Sequence, residues 1–250
     1  VKIVDIGHDN FDSACEALEL GSVDMAVVDM AQLIRMEKND ENLPYGVVIS
    51  GVLKRGDSRY VMIRKRHAKD LIENAVVATD SYSKTERIKH MYDGISCVVE
   101  TDIRKCIEKL DASECDTVFV LLEDIKAARL HNSFLYRYTI MDYGECVPVH
   151  GEGVYAMLTK GKKEAVRTAR ELSHKSTAEC FEIEDDIISR VMQNVYVKTC
   201  DVYARISSDR LEIYADVTGN RGRIRVNERG TFVNKNLIIT KIVDRTSKSM

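Results

Sequence analysis

The sequence lacks several features that would assign it to a specialised class of protein. It has no tryptophan, two prolines, and no apolar run near the roughly 20 residues that a membrane-spanning helix needs. The formal net charge is -3, so no excess of one sign attracts the chain as a whole to nucleic acid. Hydrophobic residues make up 44% and charged residues 31%, as in a typical globular domain. We therefore expect no membrane span and no nucleic-acid partner.

The cysteines also lack the pairing that would indicate a disulfide framework. There are seven, an odd number without a CxxC pair: Cys15, Cys97, Cys106, Cys115, Cys146, Cys180 and Cys200. Four of them stand among apolar neighbours in predicted helices or strands, so we interpret them as reduced thiols packed like small hydrophobic side chains. No secretion signal is visible, since residues 1–5 already form a charged, strand-like segment. Both observations predict a cytoplasmic protein.

One stretch, residues 11–30, predicts a helix, a glycine turn and a buried strand. Its apolar residues recur on one helical face at Phe11, Ala14, Cys15 and Leu18. Gly21 ends this helix, and residues 25–28 predict a strand covered on both faces. The same pattern returns 92 positions later, at Ile103, Cys106, Ile107 and Leu110, before a second apolar run at 117–122. We interpret these stretches as two related α/β units.

Other segments give a coarse element order. Residues 1–6, 47–53 and 60–63 predict strands, the last alternating, with a tight turn at Arg55-Gly56-Asp57. Residues 177–191 predict a helix, and residues 196–206, 211–217 and 223–226 predict a small antiparallel sheet before a short polar tail. His150 is interpreted as a packed or surface histidine rather than a metal ligand, because no second ligand lies at suitable spacing.

Seven motifs follow one another in the order found in a known family. They are the helix and strand of residues 18–27 with LPYG (43–46) and LKRGDSR (53–59), VVATDS (76–81), CD (115–116), PVHGEG (148–153), HKST (174–177), VYA (202–204) and LEI (211–213). In this order they resemble the porphobilinogen deaminase, or hydroxymethylbilane synthase, family. The resemblance extends over most of the chain.

The resemblance implies an α/β fold of three domains, the first two like the halves of a periplasmic binding protein and the third a small α+β domain. The boundaries that we expect are 1–68 with 144–162 for domain 1, 69–143 for domain 2 and 163–250 for domain 3. The resemblance also leads us to expect that an initial βα piece of domain 1 is missing before residue 1. The family polymerises porphobilinogen in tetrapyrrole biosynthesis, primed by a dipyrromethane cofactor on a cysteine thioether. A monomer that binds a small anionic pyrrole is therefore expected.

The family's catalytic motif is altered in this chain. His-Ser-Met-Lys-Asp falls on residues 28–32, so Gln32 stands at the position of the catalytic aspartate. Glutamine cannot supply the charge that stabilises an electron-poor pyrrole intermediate. Asp29, three residues earlier, is the possible stand-in, with a role as a helix cap as the alternative.

The family's carboxylate-binding motifs are depleted. The turn at Thr79 and Ser81 is kept, but Ser-Leu-Arg-Arg falls on residues 81–84 and leaves one cation, Lys84. A second motif, which contains two arginines, falls on residues 100–106, where Arg104 and Lys105 are the cations that remain. These five residues are the candidate substrate-binding set, although Arg104 and Lys105 also fit a solvated helix start.

The family's cofactor loop falls on residues 191–196, and the attachment cysteine aligns with Val195 or Tyr196. Cys200 is the nearest thiol, and an ordinary packed cysteine is the alternative for it. Without a thiolate at this place the thioether cannot form there.

Three functions remain open from the sequence. The first is a divergent porphobilinogen deaminase with reduced activity. The second is a non-catalytic relative that binds an anionic ligand, a pyrrole or another, between domains 1 and 2. The third is an interaction subunit that keeps only the fold. Loss of the catalytic aspartate and the cofactor cysteine counts against the first.

Overall fold

The computed structural model describes residues 11–39, 41–68 and 74–249. The helices in this part of the chain are α1 (Phe11–Glu19), α2 (Met30–Lys38), α3 (Tyr82–Lys89), α4 (Ile103–Asp111), α5 (Leu122–Ala127), α6 (Lys163–Leu172), α7 (Lys175–Val191) and α8 (Lys235–Ser249). The strands are β1 (Met25–Asp29), β2 (Val47–Val52), β3 (Tyr60–Lys65), β4 (Val76–Thr79), β5 (Ser96–Val99), β6 (Thr117–Leu121), β7 (Tyr136–Ile140), β8 (Tyr155–Lys160), β9 (Val197–Ser207), β10 (Arg210–Gly219) and β11 (Gly222–Thr231). The strand predicted in residues 1–6 lies outside the described residues.

The chain divides into two compact units. Unit 1 comprises residues 1–56 and 149–250, and unit 2 comprises residues 57–148. Unit 1 contains two three-stranded antiparallel sheets, one in the order β1-β8-β2 and one in the order β11-β10-β9. Each sheet has its own apolar core, the first with α1 and α2 and the second with α7 and α8. The predicted antiparallel sheet near the C-terminus is therefore confirmed.

Unit 2 is built on one mixed sheet of five strands, in the order β5-β4-β6-β3-β7. Strand β4 runs parallel to β5 and β6, while β3 runs antiparallel to β6 and β7. Separate apolar clusters cover the two faces of this sheet. All of β6 and the first five residues of β3 are buried, because these strands lie in the middle of the sheet. The alternating pattern predicted for residues 60–63 is therefore wrong.

The predicted repeat is confirmed in the bounds of its elements. Helices α1 and α4, strands β1 and β6, and helices α2 and α5 each begin 92 positions apart. The apolar positions of α1 and the last three of the four in α4 are buried as expected. The strand that follows differs, since β1 alternates in burial and Val27 is 52% exposed. Among the described strands, β1 is an outer strand of its sheet. Because one of its faces is exposed, the prediction that both faces are covered is wrong for β1.

The expected domain boundaries differ from the strand pairing at two places. β3 was assigned to domain 1 but pairs within the sheet of unit 2. α6 was assigned to domain 3 but packs on β2 and β8 of the first sheet. Both assignments relied on position in the sequence, whereas pairing and packing join segments that are distant along the chain. Three sheets with separate cores fit the three-domain fold, and the separation of domains 1 and 3 stays a prediction.

The end of the chain is helical rather than a polar tail. Helix α8 buries Ile238, Ile239, Ile242 and Thr246 against the sheet of β9, β10 and β11. These positions recur at helical spacing, which the sequence interpretation overlooked. None of the helices in the described part of the chain is long and apolar enough to cross a membrane.

Candidate functional site

The carboxyl ends of the parallel strands in unit 2 form one edge, which we call the unit 2 edge. α3, α4 and α5 begin there, after β4, β5 and β6 respectively. β3 also starts there, because Tyr60 pairs with Leu121 at the end of β6. Ligands of open α/β sheets bind at such an edge, since loops and helix starts converge on it. The candidate substrate-binding residues of unit 2 all follow these strands.

The Lys84 side chain is held within the protein. Its side chain is 6% exposed, and its Nζ atom lies 2.7 Å from each carboxylate oxygen of Asp80. A second carboxylate, Oδ2 of Asp124, lies 3.9 Å away. The one cation kept from the family's arginine pair is thus already surrounded by two acids. The spacing of Asp80 and Lys84, four residues apart, was a signal that the sequence interpretation overlooked.

Ser81 and Thr79, two polar residues near Lys84, differ in whether their hydroxyl groups have a hydrogen-bond partner. Ser81 caps α3, since its Oγ accepts a hydrogen bond from the Lys84 N–H at 3.4 Å. Thr79 ends β4 with 0% exposure, and its Oγ1 has no hydrogen-bond partner among the described residues. A buried hydroxyl without a hydrogen-bond partner destabilises the folded state, so we expect it to have a functional role. The structure therefore brings Thr79, Ser81 and Lys84 together at the start of α3.

A second ion network at the unit 2 edge was not found from the sequence. Both oxygens of Asp57 accept hydrogen bonds from Arg59, at 2.9 and 2.8 Å, and Lys126 also binds Asp57 at 3.2 Å. The hydrogen bond from Arg59 lowers the pKa of Asp57 to about 2. The Asp57 N–H in turn donates to Oε2 of Glu123 at 3.3 Å. Arg59 and Lys126 are therefore also engaged by protein carboxylates.

Arg104 and Lys105 lie in the first turn of α4 and are exposed. The Arg104 side chain donates to the carbonyl of Ala128 at 3.2 Å, and its backbone N–H is capped by Asp102. Acidic residues at this edge are at least as numerous as basic ones. The acidic residues include Asp57, Asp80, Glu100, Asp102, Glu123 and Asp124. The basic residues include Arg59, Lys84, Arg104, Lys105 and Lys126. The edge thus has no surplus of positive charge for a ligand with several carboxylates.

The candidate catalytic positions lie at the start of α2 in unit 1. Asp29 caps this helix, because its Oδ1 accepts a hydrogen bond from the Ala31 N–H at 2.7 Å. Gln32 lies in the first turn and is half-buried. Gly151 passes close to the same turn, with a positive φ of 86°. A Cβ there would meet Ile34 at 2.6 Å and the Ala31 nitrogen at 3.0 Å, so glycine is required.

The candidate cofactor positions lie near the second sheet of unit 1. Tyr196 is 56% exposed in the loop between α7 and β9. Cys200 lies in β9 at 8% exposure, within the apolar core. Burial raises the pKa of its thiol to about 12, so the thiolate form is scarce at neutral pH. Cys200 is a packed cysteine.

The most buried ion network of unit 1 was also missed from the sequence. Arg55, interpreted as part of a tight turn, places its guanidinium 2.5 and 2.9 Å from the two oxygens of Glu184, which is 0% exposed. Oε1 of Glu184 also accepts the Ala204 N–H at 2.7 Å. The Arg55 guanidinium lies 4.9 Å from the centroid of the Tyr203 ring. Arg55 and Glu184 stand 129 residues apart, so no local pattern could have paired them.

Metal binding receives no support from the part of the chain that the structure describes. Within residues 11–39, 41–68 and 74–249, no group of three or more His, Cys, Asp and Glu side chains is arranged to hold a metal ion. His150 is 6% exposed and packs against α7, so the interpretation of it as a packed histidine is confirmed.

Similar proteins were found by sequence. A family model described as porphobilinogen deaminase, dipyromethane cofactor binding domain, matches residues 10–168. A porphobilinogen deaminase of Clostridium acetobutylicum is 22% identical over 218 residues, which cover 81% of this chain and 74% of that protein. One of Chlorobium luteolum is 23% identical, covering 75% and 60%. A probable porphobilinogen deaminase of Picrophilus torridus is 23% identical, covering 68% and 61%. The chain spans about 60% of the length of these last two.

Solved structures with partial similarity were also found. The periplasmic VFT2 domain of BvgS from Bordetella pertussis gives a TM-score of 0.42 at 15% identity, covering 64% of this chain and 65% of that one. A substrate binding protein of an amino acid ABC transporter gives a TM-score of 0.42 at 16% identity, covering 72% and 75%.

Membership rests on the extent of the family match. The matched residues include α1, β1, α2, the whole of unit 2 and β8. They also include the Thr79, Ser81 and Lys84 group and the start of α2, where the family's binding and catalytic motifs fall. The match thus covers more than half of the chain, and the chain belongs to the porphobilinogen deaminase family.

Proposed function

We propose that this family member of tetrapyrrole metabolism does not polymerise porphobilinogen but binds a small carboxylate ligand of the pyrrole type at the start of α3. It acts in the cytoplasm as a monomer, a location that fits cysteines that form no disulfide in the described part of the chain. Neither nucleic acid nor a membrane is a partner.

The proposal that the protein does not polymerise porphobilinogen rests on the lack of a reactive thiol at the cofactor loop. The position of the attachment cysteine holds Val195 or Tyr196, whose side chains cannot form a thioether. The nearest thiol, Cys200, is buried in the core with a raised pKa. A nucleophilic cysteine needs exposure and a lowered pKa. Residues 191–196 and the nearest thiol therefore do not fit a thioether-bound dipyrromethane.

The catalytic position supports the same conclusion. Gln32 has no negative charge with which to stabilise a cationic pyrrole. The Asp29 carboxylate already accepts the Ala31 N–H as a helix cap. Asp29 is exposed, which leaves its carboxylate accessible to a ligand, but the cap fixes its orientation. Residual polymerisation through Asp29 is the second candidate function.

The start of α3 supports retained binding. Thr79, whose buried hydroxyl has no hydrogen-bond partner among the described residues, stands two positions before Ser81, the N-cap of α3. Backbone N–H groups at such a helix start favour an anion. Asp80 and Asp124 oppose this by surrounding Lys84. We therefore expect weak binding of a ligand with one or two carboxylates.

The proposal predicts binding without a covalent product. Purified protein should have the mass of its sequence before and after incubation with porphobilinogen, and no tetrapyrrole should form. Porphobilinogen should nevertheless raise the melting temperature, because a ligand that binds only the folded state stabilises it. Intact mass spectrometry, a colorimetric assay for released tetrapyrrole and a thermal melt test these points.

Other outcomes assign the other functions. A mass excess of two pyrrole units that grows by pyrrole steps contradicts the proposal and identifies an active synthase, and Cys200→Ser then tests whether that thiol is used. An unchanged mass without thermal stabilisation leaves an interaction subunit.

The Thr79 hydroxyl offers a sharper test of binding. Thr79→Val removes a buried hydroxyl without a partner, so we expect the unliganded protein to gain about 1 kcal/mol in the free energy of unfolding. Thr117→Val is the matched control, since Thr117 is also 0% exposed but donates to the Ile63 carbonyl at 3.0 Å. Thr117→Val should therefore lower the free energy of unfolding by about 1 kcal/mol. Urea unfolding measures both changes.

Porphobilinogen should then stabilise the Thr117→Val protein and fail to stabilise the Thr79→Val protein. Equal stabilisation of both variants would show that Thr79 is not part of the ligand site.

A further inference from the structure

The chain crosses between the two units twice, and both crossings are tied to one carboxylate of unit 1. It leaves unit 1 after Gly56 and returns at Val149. Arg55 and His150, each next to a crossing, both contact Glu184 on α7. The Gly56 N–H also donates to the Gly153 carbonyl at 3.0 Å. Glu184 is therefore the common anchor of the two segments.

The His150 ring is enclosed on three sides. It stacks on Phe181 with the ring centroids 4.7 Å apart and the planes at 11°. Its Nε2 atom lies 3.1 Å from Oδ1 of Asp185. Its Nδ1 atom lies 3.4 Å from Oε2 of Glu184, a charge contact rather than a well-aligned hydrogen bond. Each ring nitrogen thus faces a carboxylate.

Two carboxylates around one imidazole favour the protonated ring. A neutral imidazole carries a single N–H, so one of its nitrogens would present a lone pair to a carboxylate. The imidazolium ion carries two N–H groups and suits both neighbours. The geometry alone therefore favours a positive charge on His150.

On balance the charged groups around the ring favour its positive charge, since three carboxylates favour it and one cation, Arg55, opposes it. Arg55 comes from the segment after β2, Glu184 and Asp185 from α7, and Asp201 from β9, where it accepts the His150 backbone N–H at 3.4 Å. Two further titratable groups lie near Arg55 and Glu184: the thiol of Cys180, whose pKa burial raises to about 11, and the phenol of Tyr203. One cation faces three carboxylates when His150 is neutral.

We propose that protonated His150, held between Glu184 and Asp185, is a pH-sensitive clasp that fastens the returning crossing segment, residues 149–153, to α7. With the ring charged, both carboxylates hold it against α7. Loss of its proton leaves one of them facing a lone pair, and the crossing segment loosens.

The direction of the pH dependence follows from the charge balance. Burial alone would lower the pKa of His150, but Asp185 and Glu184 outweigh it and raise the pKa above the ordinary value. A group whose pKa is raised on folding stabilises the folded state fully below its unfolded pKa, about 6.5 for histidine. This stabilisation is lost as the pH rises through the folded-state pKa. The clasp is therefore closed at acidic pH and opens in the alkaline direction.

A titration of the imidazole signals by NMR tests the charge. His150→Gln identifies the His150 signal among the six histidines by its disappearance. We expect the His150 midpoint above that of an exposed histidine, and Asp185→Asn should move it to lower pH. Asp186→Asn is the matched control, because Asp186 pairs with Arg190 instead and should leave the midpoint unchanged. Asp185 is 63% exposed, so its replacement should not disturb folding.

Amide hydrogen exchange tests the clasp itself. After correction for base catalysis, exchange of residues 149–154 should rise about tenfold as the pH passes the His150 midpoint, as expected for one charge-assisted hydrogen bond. In His150→Gln the protection of this segment should be low at every pH. A His150 midpoint at or below the ordinary value would overturn the proposal, as would exchange that stays constant through it. Equal midpoints in Asp185→Asn and Asp186→Asn would also overturn it.

Discussion

Glu184→Gln is expected to lower the free energy of unfolding of unit 1 by about 3–5 kcal/mol, because it leaves the buried Arg55 without its counter-charge. The Arg55 side chain is 10% exposed and Glu184 is 0% exposed, so water cannot replace the lost carboxylate. For a protein of this size the loss corresponds to a melting temperature lower by roughly 6–20 °C. Circular dichroism of thermal and urea unfolding measures both quantities.

The matched control for this change is Glu182→Gln on the same helix. Glu182 is exposed, so its replacement should change the free energy of unfolding by less than about 0.5 kcal/mol. If Glu184→Gln costs no more than this control, the pair does not hold the segment after β2 to α7. The double variant Arg55→Met with Glu184→Met should recover much of the loss, since it leaves no buried charge unpaired.

Ile242→Ala is expected to lower the free energy of unfolding by about 2–5 kcal/mol, because it leaves a cavity between α8 and the second sheet. Ile242 is 0% exposed and lies in a core that also contains Ile183, Ile187 and Leu211. The size of this loss distinguishes a helix that belongs to the core from the polar tail that the sequence predicted. Urea unfolding of the full chain provides the measurement.

Leu237→Ala is the control on the same helix, since Leu237 is 57% exposed. Its cost should stay within about 0.5 kcal/mol. Equal costs for Ile242→Ala and Leu237→Ala would mean that α8 contributes little to the core.

The elements that the sequence predicted well have a local signal. Phe11, Ala14, Cys15 and Leu18 lie on one face of α1 because a helix brings residues three and four apart together. The repeat at 92 positions followed from the same rule applied twice. Gly21, which has a φ of 68°, ends the first helix as expected.

The elements that it predicted poorly depend on distant partners. β1 is half-exposed because Ala26 and Val28 face the first core while Val27 lies on the other face. The first five residues of β3 are buried, since β6 and β7 enclose the strand. α8 is rich in β-branched residues with weak helix propensity, and packing on the second sheet outweighs this. Strand pairing of this kind leaves no mark on the local pattern, whereas the helical spacing of the buried positions in α8 was a local signal.

The candidate sites show the same division. The pair of Asp80 and Lys84 could be read from a spacing of four residues. Asp124 joins them only because β4 and β6 run side by side. Glu184 joins Arg55 and His150 only in the folded unit. The charge balance around Lys84, which decides how well an anion can bind, therefore required the structure.

The position of β8 between β1 and β2 has a consequence for the order of folding during synthesis. Both outer strands precede unit 2 in the chain, and β8 follows it. At 5–20 residues per second, the ribosome needs roughly 5–20 s to make the intervening hundred or so residues. Unit 2 is continuous in sequence and can complete its sheet in this interval. The first strands to emerge must wait for their central partner, so the first sheet of unit 1 stays incomplete, and its apolar strands stay exposed, until β8 has been made.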